Sequence, residues 1–224
     1  MTRSISEKLA RRVGRQCDVP WCHLPVSKFS RYCERHDQVN ERTGDPRGHT
    51  VRASEVRPYA DMARKLIKEQ KEHPAISGVL KFLEDYLRSA KPPRIIHRGS
   101  MTNQRVNHWL AHLHASGVRP EAIFATLIGM MLLREYQPRT FKSDRHFWHQ
   151  CIVRVLRLAP APRGWDMKRR YPRITVGVRE DLAQTLVRSR LGMICWQVAA
   201  HIQRKTEENG PSPQGLKSFS GTIN

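Results

Sequence analysis

The stretch Val106-Asn-His-Trp-Leu-Ala-His-Leu-His-Ala-Ser-Gly-Val-Arg-Pro-Glu-Ala-Ile-Phe-Ala-Thr-Leu-Ile-Gly-Met-Met131 decides the fold. Val106, Trp109, Leu110 and Leu113 recur at helical spacing, and so do Ile123, Phe124, Leu127, Ile128 and Met131. Between them Ser116-Gly-Val-Arg-Pro120 marks a turn, so the stretch predicts two consecutive helices. Upstream, Ile76, Val79, Leu80, Leu83 and Leu87 form another apolar face behind Pro74, a residue suited to a first helical turn. Downstream, Ser143 is placed to cap a helix that turns Phe147, Cys151, Ile152, Val155 and Leu156 inward. Helical periodicity from Ser54 to about Leu158 makes the chain mainly α, with its core in a multi-helix domain.

The 224 residues suffice for one large domain or two small ones. Residues 1–50 hold three of the five cysteines, between Cys17 and Cys33, with the turn formers Pro20, Pro25, Gly44, Asp45 and Pro46. They read as a basic arm followed by a small, loop-rich module, and residues 51–158 as the helical domain. In residues 159–173, Pro160 and Pro162 stop a helix and leave a basic Pro/Arg connector. Residues 174–206 open with Ile174-Thr-Val-Gly-Val178, which predicts a short strand, and continue as a long helical pattern to about Lys205. That segment is expected to pack on the helical domain as a strand-plus-helix cap. A strand entering two helices separated at Leu191-Gly192 would instead outline a ribbon-helix-helix dimer. Residues 207–224 have too little apolar content to order themselves. No run approaches the roughly 18 apolar residues of a membrane span.

Cys17-x4-Cys22-x10-Cys33-x2-His36 supplies three thiols and an imidazole within 20 residues, a donor set suited to tetrahedral Zn2+. The apolar residues around it, Val19, Trp21, Leu24, Phe29 and Tyr32, are too few to fold the segment, so the ion is expected to substitute for a core. With all four positions taken by protein, the expected zinc is structural. His23, adjacent to Cys22, rivals His36 as the fourth ligand. Cys151 and Cys195 lie among apolar residues at helical spacing and read as inert core thiols. The opening Met-Thr-Arg-Ser-Ile-Ser-Glu-Lys runs straight into charge without an apolar signal segment, which predicts a cytoplasmic chain with reduced thiols.

Cys17-Asp-Val-Pro-Trp-Cys22, Pro25, Tyr32-Cys-Glu-Arg-His36 and Arg42-Thr-Gly-Asp-Pro46 resemble the short Cys3His zinc module of phage and bacterial mobile-element proteins, often found next to HNH endonuclease domains. The resemblance covers residues 17–46. Trp21 and Arg31 stand where that module usually has Gly, and Asp37 where it usually has an aromatic. It implies zinc on Cys17, Cys22, Cys33 and His36 in a nucleic-acid-processing setting, and it implies nothing for residues 51–224.

Lys plus Arg number 40 against 20 Asp plus Glu, a formal net charge of +20. By segment the excess is +4 for residues 1–50, +5 for 51–100, +3 for 101–150 and +8 for 151–224. Positive charge spread this broadly attracts a polyanion, so nucleic acid is the expected partner, with DNA ahead of RNA and no membrane. The candidate phosphate contacts are Arg11, Arg12 and Arg15 on the arm and Arg31, Arg35, Arg42 and Arg47 on the module. On the connector they are Arg163, Lys168, Arg169, Arg170 and Arg173, with Trp165 and Tyr171 as stacking faces for bases. The connector reads equally as a solvated linker anchored by its aromatics. The helix after Gly117 carries almost no outward Arg and is core, not a groove-reading helix.

No catalytic residue is assigned. An HNH site needs a His base and a second His with Asn or Asp on a metal, and that constellation cannot be assembled here. His108, His112 and His114, and Asp144 with His146 and His149, fall inside helical patterns and read as surface or nucleic-acid-contact groups. No phosphate-cradling Gly loop or nucleophile elbow is present, and no small-molecule substrate is indicated. The expectation is a non-catalytic, zinc-containing, nucleic-acid-binding accessory protein of a phage or mobile element, nucleoid-associated in the cell. One alternative is an adaptor whose apolar helices at residues 120–135 and 182–202 recruit a replication or recombination enzyme into a larger complex. The other is a divergent HNH-like nuclease.

Overall fold

The computed structural model describes residues 15–26, 30–92, 99–160 and 174–208. Among these residues the chain forms eight α-helices: α1 (Glu34–Thr43), α2 (Ala53–Glu69), α3 (Pro74–Arg88), α4 (Thr102–Ala115), α5 (Pro120–Tyr136), α6 (Asp144–Leu156), α7 (Val176–Leu186) and α8 (Arg190–Glu208). A single 3-10 turn, Pro138–Thr140, links α5 to α6. The fold is mainly α, as the periodicity predicts.

The other helices are arranged around α5. It is apolar on every side, which a helix tolerates only when it is buried all round, and each residue from Ile123 to Leu133 is buried. Its closest neighbour is α2, which presents Val56, Tyr59, Ala60, Ala63, Leu66 and Ile67. The two backbones approach so tightly at Gly129 that a Cβ there would lie 2.8 Å from the Ala60 nitrogen. Tyr59 stacks on Tyr136 with ring centroids 5.5 Å apart at the far end of the same contact. α3 begins with Pro74 and buries Ile76, Val79, Leu83 and Leu87; it packs on α4 and α5. α6 starts where predicted, the Ser143 hydroxyl accepting the His146 N–H at 3.2 Å. α7 and α8 complete the cover, α7 on α4 and α6, and α8 on α5.

Three expectations are corrected. Ile174-Thr-Val-Gly-Val178 is not a strand, and no strand is formed among the described residues, where pairing is limited to an isolated bridge between Gln16 and Pro25. The β-branched residues favour extended backbone locally, but Thr175 caps α7 by accepting the Val178 N–H at 3.4 Å. Gly177 meets Thr102 at the start of α4 so closely that a Cβ would sit 2.9 Å from its hydroxyl oxygen, and tertiary packing overrides local preference. The single long helix is two. Val187 and Arg188 both donate to the Ala183 carbonyl and end α7, and the Ser189 hydroxyl accepts from Leu191 to begin α8. The ribbon-helix-helix outline falls with its strand. Finally, the module is less loop-rich than its turn formers suggest, because α1 occupies ten of its residues. The arm residues Arg11 and Arg12, the connector residues Arg163, Trp165, Lys168, Arg169, Arg170, Tyr171 and Arg173, and residues 209–224 lie outside the described residues. Among the described residues no single helix is long and apolar enough to cross a membrane.

The contact at Gly129 predicts a contrast between two helical glycines. Gly129→Ala forces α2 and α5 apart and is expected to cost about 1–3 kcal/mol. Gly78 on α3 has nothing within 4 Å of its missing Cβ, so Gly78→Ala is expected to stabilise by roughly 0.5–1 kcal/mol. Urea denaturation of the two variants checks both signs.

Candidate metal centre and its attachment to the helices

Cys17, Cys22, Cys33 and His36 offer ligand atoms that all lie within 4.8 Å of one another. The local fold brings them together in two steps. The Cys17 N–H donates to the Leu24 carbonyl at 3.0 Å and the Cys22 N–H to the Val19 carbonyl at 2.9 Å, closing a tight loop that faces both thiols inward. Cys33 is the residue before α1 and His36 lies in its first turn, so the two share one face of the helix start. The first-turn position also places the Cys33 sulfur at the positive end of the helix dipole.

The spacing of the donor atoms fits one tetrahedral ion. His36 Nδ1 is 3.3 Å from Cys17 Sγ and 3.4 Å from Cys33 Sγ, and Cys22 Sγ is 3.8 Å from Cys33 Sγ. Metal–sulfur bonds of about 2.3 Å and a metal–nitrogen bond of about 2.0 Å would set these edges at about 3.8 Å for sulfur pairs and about 3.5 Å for sulfur–nitrogen pairs. All five cysteines are free thiols. Burial pushes the Cys17 thiol up, yet main-chain N–H groups of Cys33 and Val19, with His36 and Cys22, outweigh it and bring its pKa down to about 7. Crowded thiols of this kind suit a cation at their centre. The four groups could hold a metal ion, and His23, exposed to solvent, is not one of them. Little else among its described residues could order the segment: apart from the candidate ligands Cys17 and Cys33, the only buried apolar side chain described there is Val19.

α1 itself has almost no apolar face, and Thr43 is its one buried residue. What holds it to the helical core is a polar joint at its C-terminal end. The chain leaves α1 through Gly44 at φ +93°, a left-handed value that favours glycine, and a Cβ there would lie 2.6 Å from His149 Nδ1. The buried Gln150 side chain accepts the Val51 N–H at 3.0 Å and donates to the Thr43 carbonyl at 3.3 Å. Arg179 of α7, 3% exposed, donates to the Arg42 carbonyl at 2.8 Å and to that of Glu41. It thereby satisfies two of the carbonyls that a helix end leaves without partners. His146 Nε2 is 2.7 Å from the His49 carbonyl, and His149 Nε2 is 2.9 Å from a Glu180 oxygen that Arg145 also grips at 2.8 Å.

The joint corrects the reading of His146 and His149 as surface or ligand-contact groups. Both are fully buried, because a helix docked on both sides leaves its polar face no solvent. Gln150 and Arg179 were not singled out in the sequence. The available signal was a polar side chain among the inward-facing Phe147, Cys151 and Ile152, which has to find a buried partner. His112 bonds the Pro160 carbonyl at 2.8 Å, and burial, helped by His112, lowers the His108 pKa. The Cys3His group is the only one of three or more potential metal ligands among the described residues. Cys151 and Cys195 are fully buried with thiol pKa values raised by that burial, in keeping with inert core positions.

Of the predicted phosphate contacts that are described, Arg15, Arg35 and Arg42 are exposed. Arg31 is tied to Asp18 at 2.7 Å and Arg47 to Asp45 at 3.5 Å. A further cationic pair escaped the sequence reading. Arg154 is half-buried on α6 with Arg157 one turn beyond it. Burial and then Arg157 lower the Arg154 pKa, and Glu55 opposes them. Glu55 is already engaged, accepting the Arg52 N–H at 2.5 Å and facing His49 at 3.9 Å. No family model, curated protein or solved structure matches the chain.

Two outcomes follow for this region. Chelation, or Cys33→Ser, is expected to remove stoichiometric metal and collapse the amide dispersion of residues 15–43 while leaving α2 to α8 folded, as read by elemental analysis and two-dimensional NMR. The second concerns acid. Burial, reinforced by the charges of Arg179 and Arg145, lowers the His149 pKa from 6.5 to about 4, with Glu180 opposing. Between those values the unfolded chain holds the extra proton, so stability falls as pH drops from 6.5 toward 4, by about 3 kcal/mol. His149→Gln is expected to flatten that part of the pH profile of urea midpoints.

Proposed function

We propose that the protein is a zinc-containing, non-catalytic nucleic-acid-binding accessory protein, with DNA favoured over RNA. In this reading Cys17, Cys22, Cys33 and His36 hold a structural Zn2+, whose preference for thiolate and imidazole in a closed tetrahedral set matches this donor group. The zinc fixes the shape of the module and so the direction in which α1 carries its arginines. Arg35 and Arg42, seven positions apart, lie along one edge of α1, away from the edge that bears Glu34 and Glu41. The likeness of residues 17–46 to the zinc module of phage and mobile-element proteins supports the same setting, in the cytoplasm of a bacterial or phage-infected cell.

The observation that carries the reading is a set of cations left over where six acids, most of them at the surface, have taken arginine partners. Asp18, Asp45, Asp61, Glu84, Asp144 and Glu180 are each paired with an arginine. Arg52, Arg154 and Arg157 make no such pair among the described residues, and Arg154 and Arg157 stand together on one helix. Two like charges held side by side at a partly desolvated position favour an anion between them, and the phosphodiester backbone presents such anions at regular spacing. These residues contact phosphate without reading bases, which makes the binding general across sequences.

Fluorescence anisotropy with labelled oligonucleotides tests this. The triple variant Arg52→Ala/Arg154→Ala/Arg157→Ala is expected to bind all sequences more weakly. Its plot of log affinity against log salt should be flatter by roughly two to three, about 0.9 for each lost duplex phosphate contact. An unchanged slope overturns the placement of the contacts, and a native protein that binds no oligonucleotide overturns the function.

A further inference from the structure

Trp21 and Leu24 stand out from the rest of the surface. Among the described residues five large apolar side chains are exposed, Trp21 at 67%, Leu24 at 55%, Phe82, Met101 and Met193. The first two lie three positions apart in the loop that Cys17 and Cys22 tie down. The fold does not need them: the small apolar cluster of the module is built from Cys17, Val19 and Cys33, with Cys22 and Tyr32 against it. Nor are they on slack chain. The Cys22 N–H bonds the Val19 carbonyl at 2.9 Å just beside Trp21, and the Leu24 carbonyl accepts the Cys17 N–H at 3.0 Å. Two residues outward, the Val26 N–H bonds the Arg15 carbonyl at 3.0 Å. An indole presented from such a frame has little backbone entropy left to lose on binding.

Exposed arginines lie on the segments that frame this tip, beside acids in nearly equal number. Arg15 is exposed on the segment paired with Val26, and Arg35 is exposed in the first turn of α1. The nearby acid Asp18 is neutralised by Arg31, whose side chain keeps 78% of its surface open. Asp37 accepts from Ser30 at 2.6 Å. A flat aromatic and a branched aliphatic side chain, on a module that also exposes Arg15, Arg31 and Arg35, suit a ligand made of flat rings on an anionic backbone.

We propose that Trp21 and Leu24 form a stacking surface for the unpaired bases of a single-stranded nucleic acid, with Arg15, Arg31 and Arg35 placed for its phosphates; this rests on the nucleic-acid reading above and adds strandedness to it. Duplex bases are already stacked on one another and offer no free face to an indole on a short loop, whereas splayed bases do.

The full-length, metal-loaded protein is titrated with a labelled oligothymidine of about 15 nucleotides, a length within a typical single-strand site, and with a hairpin duplex of equal charge. Trp21→Ala is expected to lose about tenfold or more in affinity for the single strand and less than twofold for the duplex, with its zinc content unchanged; Trp21→Phe is expected to keep most of the native affinity. Equal single-strand affinity in Trp21→Ala and the native protein overturns the stacking surface alone. An equal loss on both ligands, or in both variants, also overturns it. Failure of the native protein to bind either ligand overturns the nucleic-acid reading itself, so the two failures are distinct.

Discussion

Gln150 reaches two stretches of main chain at once, the Thr43 carbonyl on one side and the Val51 N–H on the other, and the relation between the metal ligands and the helices hangs on that bridge. α1 has no apolar face with which to dock. It is held by hydrogen bonds whose partners are buried, and buried hydrogen bonds tolerate no slippage because each unmade bond leaves a desolvated polar atom. Arg179 extends the same logic, its guanidinium closing the end of α1 from the opposite side. The ligand cluster at one end of a ten-residue helix is thus carried on a lever whose other end is locked. An orientation set this way is rigid without needing a large interface.

Charge is the second organising constraint. An excess of +20 works against a compact chain unless acids are placed where they offset the most repulsion, and the fold uses them in that way. Asp61 sits between Arg57 and Arg64, and Glu180 between Arg145 and His149. Most of these pairs are exposed and individually worth little, but their distribution decides where positive potential survives. Among the cations left outside these pairs are Arg154 and Arg157 at the C-terminal end of α6 and Arg35 and Arg42 on α1. The segment around the candidate metal ligands is close to neutral from Arg15 onward, with six cations against five acids in residues 15–50.

Legibility in the sequence followed how local each determinant is. Pro74, the turn at Gly117 and the Ser143 cap act within a few residues, and the helices they bound lie where the apolar spacing places them. The ligand set was legible for the same reason, since all four donors fall within 20 residues. α1 was hidden because a helix without an apolar stripe gives no periodic signal; it exists by virtue of its cap, its ligands and its docking. Ile174 to Val178 misled because branched side chains speak for a strand until Thr102 is known to lie against Gly177. The burial of His146 and His149 depended on a helix more than one hundred residues away in the chain, which spacing cannot reveal. Gly44-Asp45-Pro46 was recognisable as a motif, but its role as the seat of His149 is tertiary.

The joint has a consequence for the order in which the molecule assembles as it is made. The four candidate ligands fall within one span of 20 residues that precedes α2 to α8, so an ion could be captured before those helices are made. The groups that secure α1 arrive much later: Gln150 stands 107 positions beyond Thr43, and Arg179 137 positions beyond Arg42. The segment with these four residues therefore passes through a stage in which it could already hold an ion but has no fixed direction, and contacts spanning such separations close slowly. Truncated products ending before α6 would keep the four candidate ligands but lose both groups that fix the bearing of α1.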